Sequence, residues 1–326
     1  MLGWRVPDRD RRLILVCVAG VVLAGCTSGS ETAEGSRPNN DTSAEPCPIL
    51  DERPTDTIAY TRYAEDGSTA IYLMDPDGSN QTCLVDTADS DRAPAWSPDG
   101  TKLVFQRGSD RFDGDLWMVN ADGSGLRQLT DDEGGEWSPS WSPDGQEIVY
   151  GYSESSTDDG PFAIRVVGSD GSGDRTLIRS DDDIEYTGHP SWSPDGTGIA
   201  FQTDQGSGTQ LRWMRPDGSM VTLLADGPDS DGGGVAWAPD GSQIAFQSDR
   251  CFGCIMLIDP DGSGLARLVS GGSEFGCLTW SPDGGSIAWA GCTKGPADAY
   301  VLDALGGEPV LIDDTATMAE LAWQPV

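Results

Sequence analysis

One phrase, Trp-Ser-Pro-Asp-Gly, returns along this chain and fixes what it can fold into. It begins at Trp96, Trp141, Trp192 and Trp280, reads Trp-Ala-Pro-Asp-Gly from Trp237, and returns in shortened form as Leu321, Ala322, Trp323, Gln324, Pro325. Successive tryptophans stand 45, 51, 45, 43 and 43 residues apart, the period of four-stranded propeller blades and not of helical or leucine-rich repeats.

The chemistry within one period agrees. In Ser-Pro-Asp-Gly, proline sets the φ of a turn and glycine supplies the residue that returns the chain, so the phrase is a hairpin tip. A short apolar stretch ending in Trp precedes it and an alternating one follows: Leu103 and Phe105, Ile148 and Tyr150, Ile199 and Phe201, Ile244 and Phe246, Ile287 and Trp289. A third strand is expected at 71–75, 116–120, 162–167, 211–215, 255–259 and 300–303. It runs into a second turn phrase such as Asp75, Pro76, Asp77, Gly78, Ser79, and an outer strand follows at 127–130, 221–224 and 267–269. Six second strands and six terminal tryptophans predict an all-β, six-bladed propeller. Its first blade lacks a first strand, and Leu321 to Gln324 should supply it, leaving no open edge.

The paired phrases resemble the repeat of the TolB-like six-bladed propeller family over roughly residues 56–326. The resemblance is to the propeller domain alone, and it implies a scaffold that binds.

Ahead of the repeats, Arg5, Arg9, Arg11 and Arg12 precede the apolar run Leu13 to Gly25, which is too short to span a bilayer and right for a signal peptide. The end of that run, Leu23, Ala24, Gly25, Cys26, resembles the lipobox of bacterial lipoproteins, which predicts a palmitate-type acyl anchor on Cys26. The expected organisation is a signal peptide over 1–25, a lipid-anchored flexible linker over 26–56, rich in Ser, Thr, Glu, Asn and Pro, and a propeller over 57–326. Location follows: the extracytoplasmic side of a bacterial cell envelope, touching the membrane only through the lipid.

The formal charge is -34, and the first 25 residues carry four arginines against two aspartates, so the mature chain stands at -36. That charge disfavours nucleic acid and anionic lipid surfaces as partners. Much of it is Asp in turns, a solvated surface. The Asp-x-Asp-Gly turns lack the ligand positions and final Glu of a calcium loop, so no cofactor is expected, with weak Ca2+ binding between neighbouring loops as the lesser reading.

Six cysteines remain after Cys17 and Cys26: Cys47, Cys83, Cys251, Cys254, Cys277 and Cys292. An even number in an exported chain favours disulfides over metal. Cys277 with Cys292 across a hairpin, Cys251 with Cys254 as a small staple, and Cys47 with Cys83 pinning the linker form the expected set.

No nucleophile elbow, zinc-binding helix or phosphate loop occurs, and His189 is the sole histidine. Strand direction places the residues just upstream of each Trp around one mouth of the central channel: Asp91, Arg92, Glu136, Trp137, His189, Glu274, Phe275 and Glu320. Arg111, Phe112, Asp113, Asp158 and Asp159 belong to loops on the same side. His189 reads first as a polar residue capping a strand. These observations predict a monomeric interaction module for a protein, a peptide or an envelope glycan, not an enzyme. The competing class is a sugar- or peptide-processing enzyme using mouth carboxylates, which two acids converging in a dry channel would favour.

Overall fold

The computed structural model describes residues 47–51, 54–109, 113–155, 160–180, 186–204, 209–226, 234–248, 254–270, 277–290 and 297–325. The signal peptide, Cys26, most of the linker, Arg111, Phe112, Asp158, Asp159, Cys251, Glu274, Phe275 and Cys292 lie outside them. All regular structure among the described residues is strand, and no helix there is long and apolar enough to cross a membrane.

The strands form an all-β propeller. β1 (Ile58–Tyr63), β2 (Thr69–Met74) and β3 (Thr82–Val85) come first. Four-stranded antiparallel sheets follow: β4 (Asp91–Trp96), β5 (Lys102–Arg107), β6 (Asp115–Asn120) and β7 (Arg127–Gln128); then β8 (Gly135–Trp141), β9 (Glu147–Ser153), β10 (Phe162–Gly168) and β11 (Arg175–Arg179). Next come β12 (Tyr186–Trp192), β13 (Ile199–Asp204), β14 (Thr209–Met214) and β15 (Thr222–Asp226), then β16 (Val235–Trp237), β17 (Ile244–Ser248), β18 (Cys254–Ile258) and β19 (Ala266–Ser270). The last sheet begins with β20 (Leu278–Trp280), β21 (Ser286–Trp289) and β22 (Ala297–Asp303).

The C-terminal strand is longer than its sequence suggests. β23 runs from Val310 to Trp323 without a break. Its first half pairs with β22, Val301 opposite Val310 and Tyr300 opposite Leu311, and its second half pairs with β1, Arg62 opposite Met318 and Ile58 opposite Trp323. One strand thus joins the last repeat to the first in a seven-stranded sheet of order β20-β21-β22-β23-β1-β2-β3. Gln324 completes the join: it is buried, its backbone N–H donates to the Thr57 carbonyl at 2.8 Å, and its amide donates to the Gly100 carbonyl at 2.9 Å.

Both turn phrases are built as their residues dictate. In the first, the Gly100 N–H donates to the Ser97 carbonyl, Gly100 takes a φ of 63°, and the Ser97 hydroxyl donates to Asp99 at 2.7 Å. The same Asp99 oxygen accepts the N–H of Thr101 at 3.1 Å. Gly78 at φ 84° plays the returning role in the second phrase, where only glycine adopts such an angle freely.

Tryptophan explains its own recurrence. The indole N–H of Trp141 donates to the carbonyl of Ala95, the residue before the preceding Trp, at 3.2 Å. Trp237 reaches Ser191 in the same way at 3.1 Å, Trp280 reaches Ala236 at 3.1 Å, and Trp96 reaches Ala322 at 3.2 Å, across the join between the chain's two ends. Where the residue before Trp is Ser140 or Thr279, its hydroxyl instead accepts the backbone N–H of the next Trp, at 3.2 and 3.0 Å. Buried apolar residues from adjacent sheets pack between these latches, as with Val104, Met118, Ile148 and Tyr150.

The body takes in more of the N-terminal side than residue 57 onward. Cys47 and Cys83 form a disulfide, the Leu50 N–H donates to the Asp122 carbonyl at 2.8 Å, and Leu50 packs on the core around Leu84 and Trp96. Cys254 and Cys277 each belong to a disulfide, while Cys251 and Cys292, the partners expected for them, lie outside the described residues.

Candidate functional site

The inner strands converge on one cavity of about 550 Å3. β4, β8, β12, β16, β20 and the end of β23 all contribute to its wall, with the six repeat tryptophans and the turn prolines Pro98, Pro194, Pro239 and Pro282 deeper in. The remaining rim carries the residue three before each Trp: Ala93, Ser138, His189, Gly234, Cys277 and Glu320.

That rim is made by a recurring bulge. Pairing skips between Arg92 and Ala95, between Trp137 and Ser140, and between Gly188 and Ser191, and the β1 to β23 ladder shifts opposite Glu320. At the skipped positions Ala93, Ser138, His189 and Glu320 take φ of 52°, 48°, 50° and 54°. Four non-glycine residues held in the left-handed region cost free energy, and such backbone concentrates at sites where it re-aims a side chain. Here the bulge places these four side chains at the cavity.

Two inter-strand links result. Glu320 Oε2 accepts the Thr61 hydroxyl at 2.8 Å and the Ala93 N–H at 2.8 Å, tying β23 to β1 and β4. His189 Nδ1 lies 3.0 Å from the Ser138 hydroxyl, tying β12 to β8. Burial pushes the Glu320 carboxyl above its ordinary range, with the hydrogen bonds from Thr61 and Ala93 and the nearby Arg92 pulling the other way. Among the described residues lining the cavity there is one carboxylate, Glu320, and one imidazole, His189, three repeats apart around the ring.

The expectation that Asp91, Glu136 and Trp137 stand open at the mouth is corrected. They lie four and five residues before Trp, upstream of the bulge, where ordinary pairing with β5 and β9 sends side chains to the faces between sheets. Asp91 is 0% exposed and accepts Arg107 Nε at 2.6 Å and the Thr87 hydroxyl at 3.0 Å. Burial raises its carboxyl even so. Arg107 in turn lies over Trp117, 4.1 Å from the ring centre, so the pair is structural.

Glu136 is likewise 0% exposed. Its Oε2 accepts the Thr130 hydroxyl and the Leu116 N–H, while Oε1 has no hydrogen bond. Burial pushes this carboxyl up to about 8, against the pull of Thr130 and Leu116, with Asp115 and Asp132 adding repulsion. Trp137 packs edge-on against Phe162 at 5.9 Å and over Gly151, where a Cβ would stand 2.5 Å from the indole. Arg92 is half-buried, is not part of the wall, and has a buried Nε without a hydrogen bond.

The turn aspartates spend their acceptors locally, on their own Ser or Thr hydroxyls and N–H groups, as at Asp99, Asp144 and Asp195. Among the described residues no group of three or more His, Cys, Asp or Glu is placed to hold a metal ion.

Sequence reasoning reached the right ends of the inner strands and missed the bulge. Its readable signal was Pro94, Pro139 and Pro190, each two residues before Trp inside a strand, where proline is confined to edges and bulges.

Comparison with known proteins agrees with the geometry. Residues 52–180 match the model of the TolB beta propeller domain. The solved structure of TolB from Acinetobacter baumannii superposes with a TM-score of 0.68 at 18% identity, over 84% of this chain and 68% of that one. A chain of the Nidogen/Laminin complex gives 0.67 at 13% identity, over 83% and 98%. Oligogalacturonate lyase in complex with manganese gives 0.54 at 16% identity, over 78% and 77%. No curated protein matches. These likenesses support a TolB-like propeller.

Proposed function

We propose that the chain is a six-bladed propeller, anchored at the extracytoplasmic face of the cell envelope by a lipid on Cys26, that takes a protein or peptide segment at its central channel. The blade count rests on β23: when its halves are assigned to the last and first repeats, the seven-stranded sheet divides into two blades of four that share it. The Cys47 to Cys83 disulfide supports an oxidising compartment, and the lipobox-like Leu23 to Cys26 supports the anchor.

The observation that carries the binding reading is the cavity itself. Its wall is tryptophan, proline and small residues, the amphipathic surface that recognition sites favour. Glycosidase-type carboxylate chemistry needs two acids converging on one substrate, whereas Asp91 and Glu136 are held between sheets and, among the described residues, Glu320 is the one carboxylate lining the cavity. The TolB and Nidogen/Laminin likenesses fit an interaction scaffold.

Cross-linking the full-length protein in its native envelope tests the reading, with Ala93→Trp as a plug at the rim. Adducts present with the native residue and lost with the plug, at unchanged melting temperature, are the expected result. Adducts that survive the plug would place the working surface elsewhere.

A further inference from the structure

We propose that Glu320 is the anchor for a basic side chain, a lysine or arginine of the bound polypeptide, inserted into the channel from the rim. This rests on the channel being the binding site. One oxygen of the carboxylate is fixed by two donors from neighbouring strands, the Thr61 hydroxyl and the Ala93 N–H, each at 2.8 Å. The other, Oε1, has no hydrogen bond to any described residue, although Glu320 borders a cavity of about 550 Å3. A carboxylate held by one oxygen, with the second left over at a cavity wall, is pre-organised for a charged donor. Its orientation is already set, so little side-chain entropy is lost on binding.

The surroundings select for a cation. Among the described residues no lysine or arginine lines the cavity, and the rim positions flanking Glu320 and beyond are small: Ala93, Ser138 and Gly234. His189, on the inner strand three repeats away around the ring, is the other titratable group at the rim and is engaged with Ser138. Arg92 and Tyr63 face Glu320 from the protein side, and neither belongs to the cavity wall. The mature chain's charge of -36 adds a field that draws cations toward the mouth. The repeat tryptophans line the same cavity and would give an alkyl stem or guanidinium plane an apolar, aromatic wall. Burial raises the Glu320 carboxyl, so binding of a cation should tighten as pH rises through the range in which Glu320 loses its proton.

The probe is the peptide acetyl-Gly-Arg-Gly-amide, with citrulline in place of arginine as the neutral isostere. It is titrated into the full-length protein while tryptophan fluorescence is followed. Arginine is expected to bind at least tenfold more tightly than citrulline, and Glu320→Gln, which keeps an acceptor for Thr61 and Ala93, should bring the two to parity. Equal binding of both peptides by the native protein, or unchanged arginine preference in Glu320→Gln, would overturn the assignment. Should Glu320→Gln fold poorly, the native protein decides through salt: a preference for arginine over citrulline that falls steeply as sodium chloride rises supports an ionic anchor, and a preference that salt leaves unchanged refutes it. Envelope cross-linking separates the two levels. Adducts lost with Ala93→Trp but kept with Glu320→Gln leave the channel reading standing and remove this anchor, while adducts kept in both remove both.

Discussion

The two ends of the channel are rich in the same chemical group and treat it in opposite ways. On the turn face, Asp99, Asp144, Asp195 and Asp283 accept hydrogen bonds from their own Ser or Thr hydroxyls and turn N–H groups, which hold them below the ordinary carboxylate range. Toward the rim, burial raises Asp91, Glu136 and Glu320 despite their hydrogen bonds. The difference is one of water and register: a turn carboxylate keeps its hydration and gains donors, whereas a carboxylate upstream of Trp gives up hydration for too few. The turn face therefore builds the repeat, and the upper layer keeps carboxyls that burial biases toward the protonated form.

Deleting residues 318–326 should have the largest effect, because it removes Glu320 and the Trp323 strand while leaving every complete turn phrase intact. If the turn face alone sufficed, the truncated chain would melt like the whole one. Loss of the shared strand predicts collapse of the cooperative thermal transition by circular dichroism.

Glu136→Gln comes next. A carboxyl whose folded pKa is raised from the ordinary 4.5 to about 8 contributes its full stability only below its unfolded pKa, and that contribution is lost as pH rises through the folded value. The substitution should therefore flatten the fall in stability between about pH 5 and 8, with a gain on the order of a few kcal/mol at the alkaline end. Urea unfolding across that range measures it, and an unchanged slope would remove Glu136 from the comparison. The turn aspartates carry the opposite sign: their contribution is present above the ordinary Asp range and is lost as pH falls through their depressed folded values.

The girdle between the two ends gives a smaller, paired effect. The Trp141 indole N–H donates to the Ala95 carbonyl, whereas the Trp192 indole nitrogen is buried without a partner. Replacing each by Phe costs similar volume, but only Trp141→Phe removes a hydrogen bond and strands a carbonyl. It should be the more destabilising by about 1 kcal/mol. Equal losses would deny the latch its energetic role. Asp99→Asn is smaller still, below about 1 kcal/mol, as an exposed turn contact should be.

What the sequence made legible is local chemistry repeated often. Proline and glycine at fixed offsets gave the turns, and alternation gave the second and third strands. The Cys47 to Cys83 link followed from an even cysteine count and the expected docking of the linker to an outer strand. The rest depended on parity and on distant partners. A bulge at Ala93, Ser138, His189 and Glu320 decides which residues upstream of Trp face the cavity, so Glu136 and Trp137 read as rim residues and proved interior. The continuity of β23 was hidden because residues 314–317 leave the ladder between Asp313 and Met318, which breaks the alternation that would mark one strand. The prolines at Pro94, Pro139 and Pro190 mark the bulge in the sequence, whereas nothing in composition or spacing marks the continuity of β23.

The contrast between the two carboxylate layers can be read directly by carbon-13 NMR titration of the side-chain carboxyls, with glutamate and aspartate labelled in separate samples and signals assigned by Glu136→Gln, Glu320→Gln and Asp99→Asn. Glu136 should titrate near 8 and Glu320 above the ordinary glutamate range, while Asp99 titrates below the ordinary aspartate range. Glu136 and Glu320 titrating with the exposed glutamates would contradict the account, because carboxylates that keep their water are neither buried between strands nor held in wait for a cation.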